Sequence, residues 1–258
     1  MRNEKIVLER IKKHIARHKA DIYHHKLDLE AIYIYNQDAP IPYAEIDFSS
    51  AKTIRKSEIW GHAWGSAWFL FKGEIPGDFR GQNCGLWLDF EGEACVFRDG
   101  KPWQGLTPKV DWYHNAAKHF VPLDSSDTYE ILIEAAANDL FGSGKDDYHI
   151  QEACLCIYDP ALQQTLLDMD VLLNLAENLP LGTVRRQRLI YGLNEVCNCW
   201  NTYQDKVKAL LQGLLSKPAN ASALTAWSVG HAHLDLAWLW PIRETKRKGG
   251  RTFANALR

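Results

Sequence analysis

The spacing of apolar side chains changes three times along this chain. Near the start Val7, Ile11 and Ile15 recur every fourth residue, while Arg10, Lys13, Arg17 and His18 face elsewhere. This predicts an amphipathic helix over residues 4–19 with a solvated basic side. From about Asp21 to Asp159 the repeat shortens to alternation, in runs at Ala31–Tyr35, Ala67–Phe71, Gly85–Phe90, Ala94–Phe97, His119–Leu123, Tyr129–Ala135 and Glu152–Tyr158. Asp99-Gly100 reads as a two-residue hairpin turn. Short strands broken by turn residues predict a jelly-roll-like antiparallel β-sandwich. Helical spacing returns over residues 160–216, around Leu166–Leu175, Val184–Val196 and Val207–Leu214, with breaks at Pro180, Gly182 and Pro218. Lys217 to Ala223 has the composition of a linker. Leu224 to Val229 then reads as a buried strand, and Pro241 suits the first turn of a last helix. Gly249-Gly250 in that helix predicts a frayed final turn.

The pattern gives a multidomain α+β chain: an amino-terminal helix (1–20), a β-sandwich (21–160), a helical connector (161–216), a linker (217–223) and a strand–helix unit (224–258). Charge excludes some partners. With 30 basic and 32 acidic residues the net charge is -2, which leaves no footprint for nucleic acid or an anionic membrane surface. No apolar run approaches the ~20 residues needed to cross a bilayer. The amino end is charged from Arg2 onward with no apolar core of a secretory signal, and Glu4 and Glu9 interrupt its basic residues. Cytoplasm is the expected location.

The six cysteines, Cys84, Cys95, Cys154, Cys156, Cys197 and Cys199, form no C-x-x-C pair and read as buried free thiols rather than a zinc site. The sequon Asn220-Ala221-Ser222 reads as linker chemistry. Six indoles, Trp60, Trp64, Trp68, Trp87, Trp103 and Trp112, fall in the sandwich. Exposed, they would stack on sugar rings; core and interface packing is the commoner use of so large a side chain. His62, His114 and His119 lack ligand spacing and read as hydrogen-bonded or surface residues. Glu134 lies within an apolar run, so if buried it must be paired.

The chemistry concentrates in Gly230-His231-Ala232-His233-Leu234-Asp235-Leu236-Ala237-Trp238-Leu239-Trp240. Alternation puts His231, His233 and Asp235 on one side of an extended segment. Two imidazoles and a carboxylate at a strand end suit zinc or a similar borderline metal. A lone histidine at such a place is usually structural; three donors at this spacing favour metal. A strand, a ligand-bearing loop and a helix are also how a β/α barrel displays its chemistry.

The run His-Ala-His-Leu-Asp-Leu-Ala-Trp-Leu-Trp-Pro, continued by Ile242-Arg243-Glu244-Thr245-Lys246-Arg247-Lys248 and Arg251-Thr252-Phe253, resembles the start of the catalytic domain of glycoside hydrolase family 38, closest to its cytosolic and bacterial α-mannosidase branch. The sandwich resembles, more loosely, the β-domain that precedes the barrel in that branch. The resemblance implies a zinc-dependent retaining α-mannosidase acting on terminal α-mannosyl residues of oligosaccharides. It implies that His233 and Asp235 are two of four zinc ligands, that His231 orients a ligand, and that Trp238 stacks on mannose. Trp240 inherits no role and suits core packing. Retention needs two carboxyl groups about 5–5.5 Å apart; in the family the nucleophile, the acid and the other ligands lie downstream and match nothing in these residues.

A β/α barrel takes about 250 residues, so residues 224–258 are expected to be the start of a truncated one. The expected partners are α-mannosides and the remainder of the catalytic domain, and the chain alone is expected to be inactive and to hold zinc weakly. A homo-oligomer is compatible with the family, although no self-complementary surface is legible. Two other classes fit parts of the sequence: a carbohydrate-binding or docking module resting on the sandwich tryptophans, and an amidohydrolase-type metallohydrolase, which also carries H-x-H after a barrel strand. Asp235 and Trp-Leu-Trp-Pro fit the mannosidase motif better than the latter.

Overall fold

The computed structural model describes residues 3–108, 118–142, 144–201, 204–219 and 222–257, so Trp112, His114 and the first two residues of the sequon lie outside the described residues. The chain gathers into two units, Met1–His24 with Tyr158–Ser228, and His25–Ile157 with Val229–Arg258.

The first unit is helical. Helix α1 (Glu4–Lys19) buries Leu8, Ile11 and Ile15. Three more helices, α2 (Pro160–Asn178), α3 (Val184–Cys199) and α4 (Gln204–Leu215), close on the same apolar cluster through Leu166, Met169, Leu172, Leu189, Leu193, Val196, Val207 and Leu211. Each boundary has a chemical cause. Asp159 accepts from the backbone N–H of Leu162 at 2.9 Å and Pro160 opens α2 where no donor is needed. Gly182, at φ +77°, turns the chain toward α3. The basic side of α1 is less free than its pattern predicts: Arg10 donates to Asn194 and Asn198 on α3 at 2.5 and 2.8 Å.

Arg186 is a buried cation that closes this bundle. Its Nε donates to Glu4 at 2.7 Å, and its Nη1 donates to the carbonyls of Ala176, Glu177 and Leu179, the last two at 3.1 Å. A guanidinium thus meets the unsatisfied carbonyls at the end of α2, where the helix dipole also favours positive charge.

The second unit is built on strands β1 (Tyr23–Asp28), β2 (Ala31–Asn36), β3 (Lys52–Ile54), β4 (Ile59–His62), β5 (Ser66–Glu74), β6 (Cys84–Asp89), β7 (Glu93–Arg98), β8 (Lys101–Leu106), β9 (Phe120–Pro122), β10 (Thr128–Ala136), β11 (Asp147–His149) and β12 (Glu152–Tyr158). They form a six-stranded sheet in the order β3-β2-β5-β10-β7-β8, a four-stranded sheet β1-β12-β6-β9, and the pair β11-β4. Their alternation is that of a sandwich. Phe69, Phe71, Val96, Ile133 and Ala135 of the larger sheet share one core with Leu86, Leu88, Ala153 and Leu155 of the smaller. The Asp99-Gly100 turn has φ of 50° and 73°, the left-handed pair that matches strand twist in a two-residue hairpin.

Strands β1, β3, β4 and β11 escape the apolar pattern. The first two lie at sheet edges and the others pair only with each other, so their sequences are short or polar. Trp60 and Trp68 are core residues, their indoles donating to the carbonyls of Phe90 and Ile41 at 2.9 and 2.8 Å. Trp87 faces the Lys26 ammonium, and Arg98 lies over Trp103. His62 bonds Asp147 at 2.7 Å and His119 bonds the Leu88 carbonyl at 3.1 Å, both as structural histidines. All six cysteines are buried and free.

Part of the face of the larger sheet turned away from that core is also buried. Glu93, Cys95, Trp68 and Glu134 lie on that part, and helix α5 (Ile242–Ala256) packs over the β7-β8 end of the sheet. The approach is close at Gly105 on β8: a Cβ there would stand 2.7 Å from Asn255 Nδ2 and 3.1 Å from Arg251 Cβ. The Gly105 N–H donates to Asn255 Oδ1 at 3.0 Å. Pro241 is the cap of α5 rather than its first helical residue, and the expected fraying at Gly249-Gly250 does not occur; the helix runs to Ala256 because Arg251, Ala254 and Asn255 beyond the glycines are held against the sheet.

Leu224–Val229 corrects an expectation. It is irregular, with Leu224, Trp227 and Val229 exposed by 98, 90 and 87 %, rather than a buried strand. A strand is stabilised by ladder partners and by a covered face, and among the described residues this segment has no ladder partner.

Replacing Arg186 by methionine should lower stability in urea by about 3 kcal/mol, since Glu4 and the carbonyls of α2 then lose their buried partner. The chain should also respond to mild acid through His14. Its ring lies 4.6 Å from those of His18 and Trp200, and burial, then the nearby His18, Arg10 and Arg17, push its pKa down to about 4. The unfolded chain binds this proton near pH 6.5. Stability from His14 is therefore complete above about pH 6.5, falls toward pH 4 and levels below. Urea midpoints between those limits should fall more steeply in the wild type than in His14→Phe.

Candidate metal centre

The segment that carries His231, His233 and Asp235 is held from both sides. Glu244, Arg247, Lys248 and Arg251 recur at i, i+3, i+4 and i+7, which places them on one face of α5. That face lies on the sheet. Arg247 Nε donates to Glu134 Oε1 at 2.6 Å, its Nη1 to Glu244 at 3.0 Å and its Nη2 to the Ala135 carbonyl at 2.8 Å. Lys248 bonds Glu93 and the carbonyls of Asp139 and Leu140, the latter two at 3.1 and 3.4 Å. Arg251 bonds Glu244, and its Nη1 stands 3.1 Å from Glu93 outside hydrogen-bond direction. Asn138 adds a second hydrogen-bond donor to Glu93, at 3.0 Å. The side chains of these six charged residues are each at most 10 % exposed. Burial alone would weaken the charge of Arg251, but Glu244, Glu93 and Glu134 outweigh it and hold the guanidinium more firmly protonated. Glu134 is thus paired, as its place in an apolar strand requires.

Helix α5 in turn holds the loop. Thr245 Oγ1 accepts from Trp240 Nε1 at 3.1 Å and donates to the Leu236 carbonyl, with the Asp235 carbonyl at 3.4 Å. Lys248 Nζ lies 4.5 Å over the Trp240 ring, which is buried as core packing predicts. On the sandwich side, a Cβ on Gly142 would come within 3.0 Å of the Leu239 carbonyl. Phe141 meets Trp238 edge to face at 6.3 Å.

Within this loop His233 Nε2 and Asp235 Oδ1 are 3.1 Å apart. Two donors about 2.0–2.1 Å from a tetrahedral ion stand roughly 3.3 Å from each other, so the separation is close to that of two ligands of one zinc. The nitrogen and oxygen here face each other as a hydrogen-bonded pair and would turn toward an ion to share it. Both remain open to solvent, with side-chain exposures of 76 and 39 %. His231 is exposed and stands outside the pair, and no group of three or more His, Cys, Asp or Glu donors converges among the described residues. Trp238, three residues beyond Asp235, is 57 % exposed and perpendicular to Trp240. The sequence reading missed Glu93, Thr245 and Asn138. Only the charged i, i+3, i+4, i+7 stripe of α5 signalled them, because a charged stripe on a covered helix demands buried partners.

Two families match the chain. "Alpha-mannosidase, jelly roll domain" matches residues 25–166, more than half of its length, and "Glycosyl hydrolases family 38 N-terminal domain" matches residues 223–258. Alpha-mannosidase 2C1 of Homo sapiens is 28% identical over 84% of this chain and 22% of its own length. The protein of the same name from Mus musculus is 26% identical over the same shares, and Alpha-mannosidase of Saccharomyces cerevisiae is 26% identical over 82% and 21%. The chain therefore spans about a fifth of the length of the curated relatives it matches. A solved structure of CBM51-2 and INT domains from Clostridium perfringens ZmpB in complex with GlcNAc covers 75% of this chain and 42% of its own at 12% identity; its TM-score is 0.23, too low to bear on the fold. The H-x-H of this loop is thus a mannosidase feature rather than an amidohydrolase one. By its jelly roll and by the loop and helix that follow, this chain belongs to the α-mannosidases of glycoside hydrolase family 38.

Proposed function

We propose that this chain is the front part of a zinc-dependent, retaining α-mannosidase that removes terminal α-mannosyl residues, and that His233 and Asp235 supply two of the metal's ligands. The observation that carries the reading is the 3.1 Å separation of an imidazole nitrogen and a carboxylate oxygen at the tip of a family 38 motif. Zinc bound there would act as a Lewis acid toward sugar hydroxyls and favour a distorted, oxocarbenium-like ring. The chain's own residues do the rest. In this reading Asp235 holds the ion beside His233, Trp238 offers an exposed flat face to the sugar, and His231 would orient a neighbouring ligand.

Among the described residues no third donor joins the pair; in this proposal the other ligands come from the remainder of the enzyme, and the 258-residue chain alone would be inactive and hold zinc weakly. Apolar surface on Val229, Ile242, Phe253 and Leu257 of the second unit supports docking to the remainder of a catalytic domain, which the much longer relatives would supply. Six free buried thiols and a chain in which no described helix can cross a membrane agree with a cytoplasmic enzyme.

In the enzyme that carries this segment, His233→Ala or Asp235→Ala should each lower hydrolysis of an aryl α-mannoside by more than about a hundredfold and abolish stoichiometric zinc, since even groups behind a ligand cost 10–100-fold. Full turnover with both replaced would sink the assignment. Turnover by the isolated chain above a His233→Ala control would show that the chain is sufficient and the partial-site reading wrong.

A further inference from the structure

Nothing in the metal-binding reading requires the jelly roll, yet the loop that carries the ligand pair is fastened to it. We infer that the outer face of the larger sheet is the platform that positions His233 and Asp235, with Thr245 and Glu134 as its positioning residues. The connection is continuous. Glu134 on β10 bonds Arg247 at 2.6 Å, which fixes the rotation and register of α5. Thr245, two residues earlier on that helix, bonds the Leu236 carbonyl next to Asp235 and accepts the Trp240 indole N–H, which closes the loop onto the helix. The Thr245 hydroxyl has one proton and two acceptor lone pairs; the proton and one lone pair are used on this loop.

The sandwich also braces the loop directly, through Phe141 against Trp238 and the close approach of Gly142 to the Leu239 carbonyl. The buried charges give the platform its precision. A helix packed through an apolar stripe can rotate or slip at small cost, whereas Arg247, Lys248 and Arg251 each answer to named carboxylates, and a turned helix would leave buried charges unpaired. Two ligands alone on a free loop would have to be ordered by the ion; a loop already closed brings them within 3.1 Å beforehand.

The inference rests on the proposal that His233 and Asp235 hold zinc, and its test keeps the two apart. Zn²⁺ alone is titrated into the 258-residue chain, into Thr245→Val, Thr245→Ser and Glu134→Gln, and into His233→Ala. Amide hydrogen exchange is followed over residues 234–240 and, as a control, over the core strand β12 of the smaller sheet. Thr245→Val and Glu134→Gln should weaken zinc binding about tenfold and speed exchange of the loop at least about tenfold, with β12 unchanged. Thr245→Ser, which keeps the hydroxyl, should restore both to within about twofold; rescue of this kind separates positioning from general loss of packing. Loop exchange and zinc affinity unchanged in Thr245→Val and Glu134→Gln would overturn the platform. If instead His233→Ala binds zinc as the wild type does while the loop still loosens in Thr245→Val, the platform stands and the ligand assignment falls.

Discussion

Three carboxylates and three cations sealed between a β-sheet and a helix govern how the second unit is put together. Glu93 and Glu134 come from the sheet, Glu244, Arg247, Lys248 and Arg251 from α5. Removing charge from water is costly, and such clusters add little net stability compared with apolar packing. They do penalise every arrangement but one. Each member here has a partner of opposite sign, the carbonyls of Ala135, Asp139 and Leu140 take further donors, and Arg251 retains only Nε and Nη1 without a hydrogen bond. Placement, more than stability, is what this arrangement secures.

That placement inverts the usual amphipathic plan. The covered face of α5 is charged, while Ile242, Phe253 and Leu257 point outward. Where α5 lies, the larger sheet is correspondingly buried on both faces, by apolar side chains toward the sandwich core and by the ion cluster toward the helix. A jelly roll with one face free would be an independent module; this one carries the helix and loop on which the family motif is written.

Most of the architecture could be read from residue order. The spacing of Val7, Ile11 and Ile15 gave α1, Pro180 and Gly182 marked a helix break, and Asp99-Gly100 marked a hairpin, because each depends on local chemistry. The edge strands and the β11-β4 pair were illegible since their pairing is decided elsewhere in the chain. Leu224–Val229 has the composition of a buried strand, but composition does not supply ladder partners. The ligand pair could be located from alternation, and His233 with Asp235 does come together; His231 departs from them because the loop is not a regular extended strand. Glu134 was legible as a buried charge needing a mate, yet its mate, Arg247, lies 113 residues away and could not be named.

The six thiols give the molecule an internal gauge of its own opening. All are buried, and burial pushes Cys95 and Cys197 up to about 11 and Cys156 to about 12, so near neutrality these three are thiols rather than nucleophilic thiolates while the chain is closed. Cys197 sits in the helical cluster, Cys95 under α5 and Cys156 in the smaller sheet. Alkylation at each position would therefore clock a different part of the molecule breathing, without any introduced label.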